Sequence, residues 1–172
     1  MLRCVECSGR RLAFSSARAA VVYTGSTRAL VRAWKERGLR PLANLAAELV
    51  VAAVPRPAVD VITYIPPDGD RSLKRGHHPA QRLARELAAR WEIEERALLR
   101  RTRAVSQQTG LSLVERRRNV RGAFVARGAV PTRVLLVDDV YTTGATVGAA
   151  ASALRAGGAQ HVEIVTFARA VR

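Results

Sequence analysis

The segment Val134–Thr146, VLLVDDVYTTGAT, places four apolar residues directly ahead of two adjacent acids and closes on a threonine-rich turn with one glycine. An uninterrupted apolar run reads as a strand buried on both faces, here over residues 133–139. In a parallel α/β sheet, ligands bind beyond the carboxyl ends of the strands, which is where Asp138 and Asp139 stand. The turn then feeds a helix over residues 146–156, starting near Ala145 and stopped by Gly157-Gly158. A helix N-terminus offers unpaired N–H groups and a partial positive charge, both suited to a phosphate. Gly144 permits close backbone approach, and Thr142, Thr143 and Thr146 add hydroxyl donors. Carboxylates beside such a loop would repel a phosphate but accept hydrogen bonds from sugar hydroxyls. A sugar phosphate, anionic at one end and hydroxylated next to it, reconciles the two features. The alternative gives Asp138 and Asp139 the task of capping the turn and Thr143 that of capping the helix. Neither GxxxxGK[ST] nor GxGxxG occurs, so the loop is not a Walker or dinucleotide fingerprint.

Working outward, strand-like and helix-like segments alternate. A strand is expected over residues 19–25, then a helix over 27–37 with Ser26 as its N-cap, Trp34 facing the core and Gly38 as its stop. Pro41 opens a second helix that Pro55 and Pro57 end. Residues 59–65 read as a buried strand closed by Pro66-Pro67, followed by the polar loop DGDRSLKRGHH, in which His77 and His78 read as loop residues. Pro79 begins a helix to about Trp91, with Leu83, Ala84 and Leu87 on its inner side. ALLRRTRAV reads as a strand, and residues 112–119 as the helical middle of a polar segment. HVEIVTFARA supplies the last strand. Such alternation with continuous apolar strands predicts an α/β fold, a parallel sheet flanked by helices on both faces.

The 172 residues suit one domain with a small appendage. Against 14 acids stand 29 basic residues, a net charge of +15, which favours polyanionic partners such as nucleic acid or phosphorylated metabolites. Only Lys35 and Lys74 are lysines, so an arginine-rich composition is the competing source of this charge. No apolar run reaches the ~18 residues of a membrane span. The start, MLRCVECSGRR, has no secretory apolar core, and a cytoplasmic location is expected.

VLLVDDVYTTGAT closely resembles the PRPP-binding motif of type I phosphoribosyltransferases (PRPP, phosphoribosyl pyrophosphate). KRGHHPAQRLARELA, QQTGLSLVERRRNVRGAF and the pair YTGSTRALVRAWKERG and LANLAAEL each resemble a segment of the ComF-type members. The resemblance implies that Asp138 and Asp139 hold the ribose hydroxyls and that Thr142, Thr143, Gly144, Ala145 and Thr146 hold the 5′-phosphate. It implies Mg²⁺ entering with the pyrophosphate, a nitrogenous base of unidentified kind as acceptor, and a cellular role in DNA uptake or nucleotide salvage. Lys74, Arg75 and Gly76 fall where the pyrophosphate is cradled. Residues 104–124 fall where type I enzymes carry a closing lid, with Gln108, Arg116, Arg117 and Asn119 matching the pattern. Its arginines, with Arg118 and Arg121, are equally a candidate DNA-backbone patch, single- or double-stranded. Aromatic residues make up only 5% of the chain, which argues against a base-stacking platform.

ComF relatives usually carry a four-cysteine zinc ribbon at the N-terminus. Here Cys4 and Cys7 supply half of a Zn²⁺ site. They match the second CxxC pair: the first would lie ahead of Met1, or has been lost, or the ion is shared between two chains. The expected organisation is therefore an N-terminal segment, 1–18, that is a remnant or truncated zinc ribbon, and a phosphoribosyltransferase domain, 19–172.

Overall fold

The computed structural model describes residues 12–37, 39, 41–67, 78–102 and 122–171. Its elements, in chain order, are β1 (Ser16–Val22), α1 (Gly25–Arg37), α2 (Pro41–Ala53), β2 (Val61–Tyr64), α3 (Pro79–Trp91), β3 (Leu99–Arg101), β4 (Phe124–Ala126), β5 (Arg133–Tyr141), α4 (Ala145–Ala156) and β6 (His161–Arg169). Four strands form one sheet in the order β1-β6-β5-β2. Every pairing in it is parallel. The α/β fold and parallel sheet expected from the sequence are present. β3 and β4 form a separate antiparallel pair.

Each sheet face has its own apolar layer. Leu135 and Val137 of β5 face a layer built with α1, α2 and α3, where Trp34, Val50, Leu83 and Leu87 are fully buried. Val134 and Leu136 face the other layer, which holds α4, the β3–β4 pair and Phe14. Strand alternation thus sorts successive residues of one strand into two cores. At the amino end of the sheet, Arg133 donates to Asp60 from its backbone N–H (2.9 Å), Nε (3.1 Å) and Nη2 (2.8 Å). That fork fixes the start of β5 against the start of β2.

Several boundaries differ from the sequence expectation. β1 starts at Ser16 rather than Ala19 and ends at Val22, because its polar residues are paired rather than solvated. Ser16 Oγ donates to Glu163 (3.1 Å) and Arg18 lies 3.9 Å from the same carboxylate. Phe14, ahead of the strand, is buried in the second core. The last residues of the 1–18 segment therefore belong to the α/β unit. α1 begins at Gly25, so Ser26 lies inside it. The first helical bond runs from the Arg28 N–H to the Thr24 carbonyl (3.1 Å), and Gly25, at φ +34°, makes the turn out of β1. β2 is shorter than expected, whereas β5 runs two residues further, straight through the acids. β4 has no counterpart in the sequence expectation. Gly38 and the expected helix over 112–119 lie outside the described residues. No helix among the described residues is long and apolar enough to cross a membrane.

Trp34 sets the rotation of α1. It is 0% exposed and meets Phe167 of β6 edge-on, ring centroids 6.3 Å apart. Replacing Trp34 with alanine should cost about 3–5 kcal/mol of stability, read as a lowered urea midpoint. A loss below about 1 kcal/mol would show that α1 is held by other contacts.

Candidate functional site

β5 delivers Asp138 and Asp139 to the carboxyl end of the sheet. Asp139 is 7% exposed and Asp138 is half-buried. The Asp139 N–H donates to Asp138 Oδ1 at 2.9 Å, which ties the first carboxylate back onto the strand. Asp139 meets α1, the helix that helps cover the side of Leu135 and Val137. There Lys35 places its ammonium 2.6 Å from Asp139 Oδ2, a close ion pair.

The electrostatics follow from this crowding. Burial is the main influence on Asp138 and holds its pKa well above the ordinary carboxylate value. The neighbouring Asp139 charge pushes it the same way, and Lys35 partly offsets both. For Lys35, burial works to lower the pKa. The attraction and hydrogen bonding of Asp139, then the charges of Asp138 and Tyr23, outweigh it and leave the pKa raised. The stabilisation from Lys35 is thus present at neutral pH and is lost only as pH rises through its folded value.

The turn after β5 is built around Gly144. Its φ of +72° lies in the left-handed region. A Cβ there would stand 2.3 Å from the Tyr141 hydroxyl, so the ring of Tyr141 lies directly under the loop. Arg169, at the end of β6, places its guanidinium 5.2 Å from the centre of that ring. Gly144, not Thr143, is the N-cap of α4; Thr143 Oγ1, one residue earlier, accepts from the Ala145 N–H at 3.3 Å, and the Gly148 N–H donates to the Gly144 carbonyl at 2.8 Å. The first turn of α4 carries no acid, so nothing there competes with an anion for the positive end of the helix.

Asp138, Asp139, Thr142, Thr143, Gly144, Ala145 and Thr146 are therefore brought together as one strand–turn–helix unit. Lys74, Arg75 and Gly76, the lid residues Gln108, Arg116 and Arg117, and Cys4 and Cys7 all lie outside the described residues. Both flanks of the 68–77 segment are anchored. Arg101 donates to the Pro66 carbonyl (3.3 Å) and lies 4.7 Å over the Phe124 ring. His78 meets Tyr64 edge-on at 5.6 Å, and the Tyr64 hydroxyl accepts from Gln81 (2.9 Å). Sequence reasoning missed Lys35 and Tyr141. The one signal for Lys35 was that it is one of two lysines in an arginine-rich chain.

Residues 72–171 match the model of the phosphoribosyl transferase domain. The chain belongs to the phosphoribosyltransferase family. Among curated relatives, this chain is 31% identical to Competence protein F of Haemophilus influenzae over 142 residues, 80% of this chain and 62% of that protein. It is 36% identical to the DNA utilization protein YhgH of Escherichia coli strain K12 over 115 residues, 64% of this chain and 49% of that one. The ComF-type assignment made from the sequence is thus supported. The chain spans 62% of the length of the first of these relatives and 49% of the second. Among solved structures, the Thermus thermophilus protein TT1426 aligns with a TM-score of 0.42 and 21% identity, over 77% of this chain and 84% of that one.

The raised Asp138 carboxyl makes a stability prediction with a definite sign. The folded chain holds a proton there that the unfolded chain releases at lower pH, so the group costs stability at neutral pH and acidification relieves that cost. Asp138→Asn removes the charge but keeps the Oδ1 acceptor. It should raise stability at pH 7 by roughly 1 kcal/mol, ~2–4 °C in Tm, with a smaller gain at pH 5. Thermal melts at the two pH values check this, and an unchanged or lowered Tm at pH 7 contradicts it.

Proposed function

We propose that this chain binds PRPP with Mg²⁺ and transfers the phosphoribosyl group to or from a nitrogenous base. The observation that carries the reading is the joining, at one strand end, of an acid pair to a glycine turn that opens a helix whose first turn carries no acid. Asp138 and Asp139 accept hydrogen bonds from the two ribose hydroxyls, and the turn from Thr142 to Thr146 receives the 5′-phosphate through N–H and hydroxyl donors. Cleavage of the C1–pyrophosphate bond passes through an oxocarbenium-like state. The protein's part is to position the ribose, balance charge and exclude water. Lys74, Arg75 and Gly76 are assigned to the pyrophosphate, and Gln108, Arg116 and Arg117 to a lid over it.

Among the described residues there is no cluster of three His, Cys, Asp or Glu side chains that could cage a metal. Mg²⁺ is an ion held mainly by substrate phosphates and water, and it would enter with the pyrophosphate. When bound, Mg²⁺ would neutralise charge on the leaving pyrophosphate. Zn²⁺ at Cys4 and Cys7 enters the proposal only as half of a ligand set.

A second reading is a DNA-binding competence protein that keeps the PRPP pocket without turnover. The net charge of +15 and the names of Competence protein F and the DNA utilization protein YhgH favour it. In either reading the cellular role proposed is DNA uptake or use.

Calorimetric titration of Mg²⁺–PRPP into wild type and into Asp138→Asn/Asp139→Asn tests the pocket. Binding by wild type and its loss in the folded double variant is expected. A folded wild type that binds no PRPP would sink the reading. DNA affinity measured over a salt series separates the alternatives: phosphate-contacting arginines predict a steep fall with salt that the acid substitutions leave unchanged.

A further inference from the structure

Lys35 belongs to no segment so far given a function, yet it is the cation that meets the acid pair. We propose that Lys35 is a positioning residue of the phosphoribosyl pocket: from α1, its ammonium fixes the Asp139 carboxylate and offsets the like charge of Asp138, so that the pair stands ready to receive two adjacent hydroxyls. This rests on the PRPP reading of the site and adds a member that the motif itself does not contain.

Three observations carry it. The first is the contact, 2.6 Å from Lys35 Nζ to Asp139 Oδ2, with Asp139 buried and the lysine side chain 40% exposed. The ammonium can therefore be reached by solvent and by a ligand, while the carboxylate it holds cannot relax away. The second is the delivery. Val31 and Trp34 are buried in the layer under α1, and Trp34 is locked against Phe167. With that face turned inward, the residue following Trp34 is aimed at the end of β5. The nearby Arg32 instead pairs outward with Glu36 at 2.9 Å.

The third is chemical identity. Of 29 basic residues in this chain, 27 are arginine, and one of the two lysines stands here. A guanidinium is planar and broad, whereas an ammonium is a compact point charge that fits beside one carboxylate oxygen without claiming both. A single-point partner leaves acceptor sites of Asp139 open to a ligand; a bidentate fork would occupy them. The groups facing the ammonium are Asp139 and Asp138 of β5 and Tyr23 just past β1. Asp138 in turn faces Asp139 and Lys35. Without Lys35, two acids at a buried strand end would face each other uncompensated, and one would hold a proton over a wider pH range. A protonated acid accepts less well from a ribose hydroxyl.

The test is Mg²⁺–PRPP binding by wild type, Lys35→Met and Lys35→Arg, measured calorimetrically at pH 6, 7 and 8.5. Lys35→Met should bind about 10- to 100-fold more weakly, with the larger deficit at pH 6, where the acid pair retains its extra proton. Lys35→Arg should recover part of the affinity and most of the pH profile. A purely structural lysine would lower the melting temperature without changing the pH profile. Binding by Lys35→Met at wild-type affinity across all three pH values overturns the proposal while leaving the PRPP reading intact. A folded wild type that binds no PRPP overturns both. Should Lys35→Met fail to fold, wild type labelled with ¹³C at lysine Cε decides. Two lysine signals are expected, with Lys35 identified by its disappearance in Lys35→Arg. That signal must move when Mg²⁺–PRPP saturates the protein, and a stationary signal overturns the proposal.

Discussion

β5 is hydrogen-bonded to β6 on one side and to β2 on the other, and apolar layers cover both of its faces. Pairing with β2 ends at Val137, and from Asp138 to Tyr141 the strand is held along β6 alone. Two carboxylates on adjacent positions there repel each other, and the burial of Asp139 and the bond from its N–H to Asp138 limit their relaxation. What remains is compensation by a third group. α1 supplies it through Lys35, and the burial of Trp34 explains why that helix sits at the rotation that makes the contact. The order of causes runs from strand pairing to fixed acids, and from fixed acids to the need for a cation from another layer.

The same end of the sheet shows what holds the turn in shape. Tyr141 is buried at 6% exposure beneath Gly144, and Arg169 lies over its ring from the neighbouring strand. Gly144 is thus fixed from both directions, by a backbone angle that residues with a Cβ rarely adopt and by a phenol that leaves no room for one. A turn held in this way would need little reorganisation to receive the proposed phosphate.

Much of this was legible in the sequence because β5 announces itself twice, by an apolar run and by the acids and turn that follow. The helix that begins at Pro79 was equally plain, since proline at its first position and the spacing of Leu83, Ala84 and Leu87 agree. The start of β1 was hidden because Ser16 and Arg18 look like loop residues until Glu163 is known to lie beside them. β4 was hidden because three residues carry too little pattern, and their strand character depends on pairing with Leu99–Arg101. In the site, the motif residues are contiguous and so were found together. Lys35 and Asp139 are far apart in the chain, and only the packing of α1 on the sheet joins them. Nothing in local periodicity could have paired them.

The two apolar layers are separated by the sheet, yet the site draws from both. Lys35 and Val140 belong to the layer of α1, α2 and α3, while Tyr141 and Val147 belong to the layer of α4. Under the proposed function, a molecule seated across the acids and the turn would be fastened to both layers at once. Either layer opening by itself would have to release that molecule first, so its binding energy is added to the opening free energy of each. The consequence is a coupling of amide exchange on opposite faces of the sheet, with α1 and α4 protected together in the bound protein although they share no direct packing core.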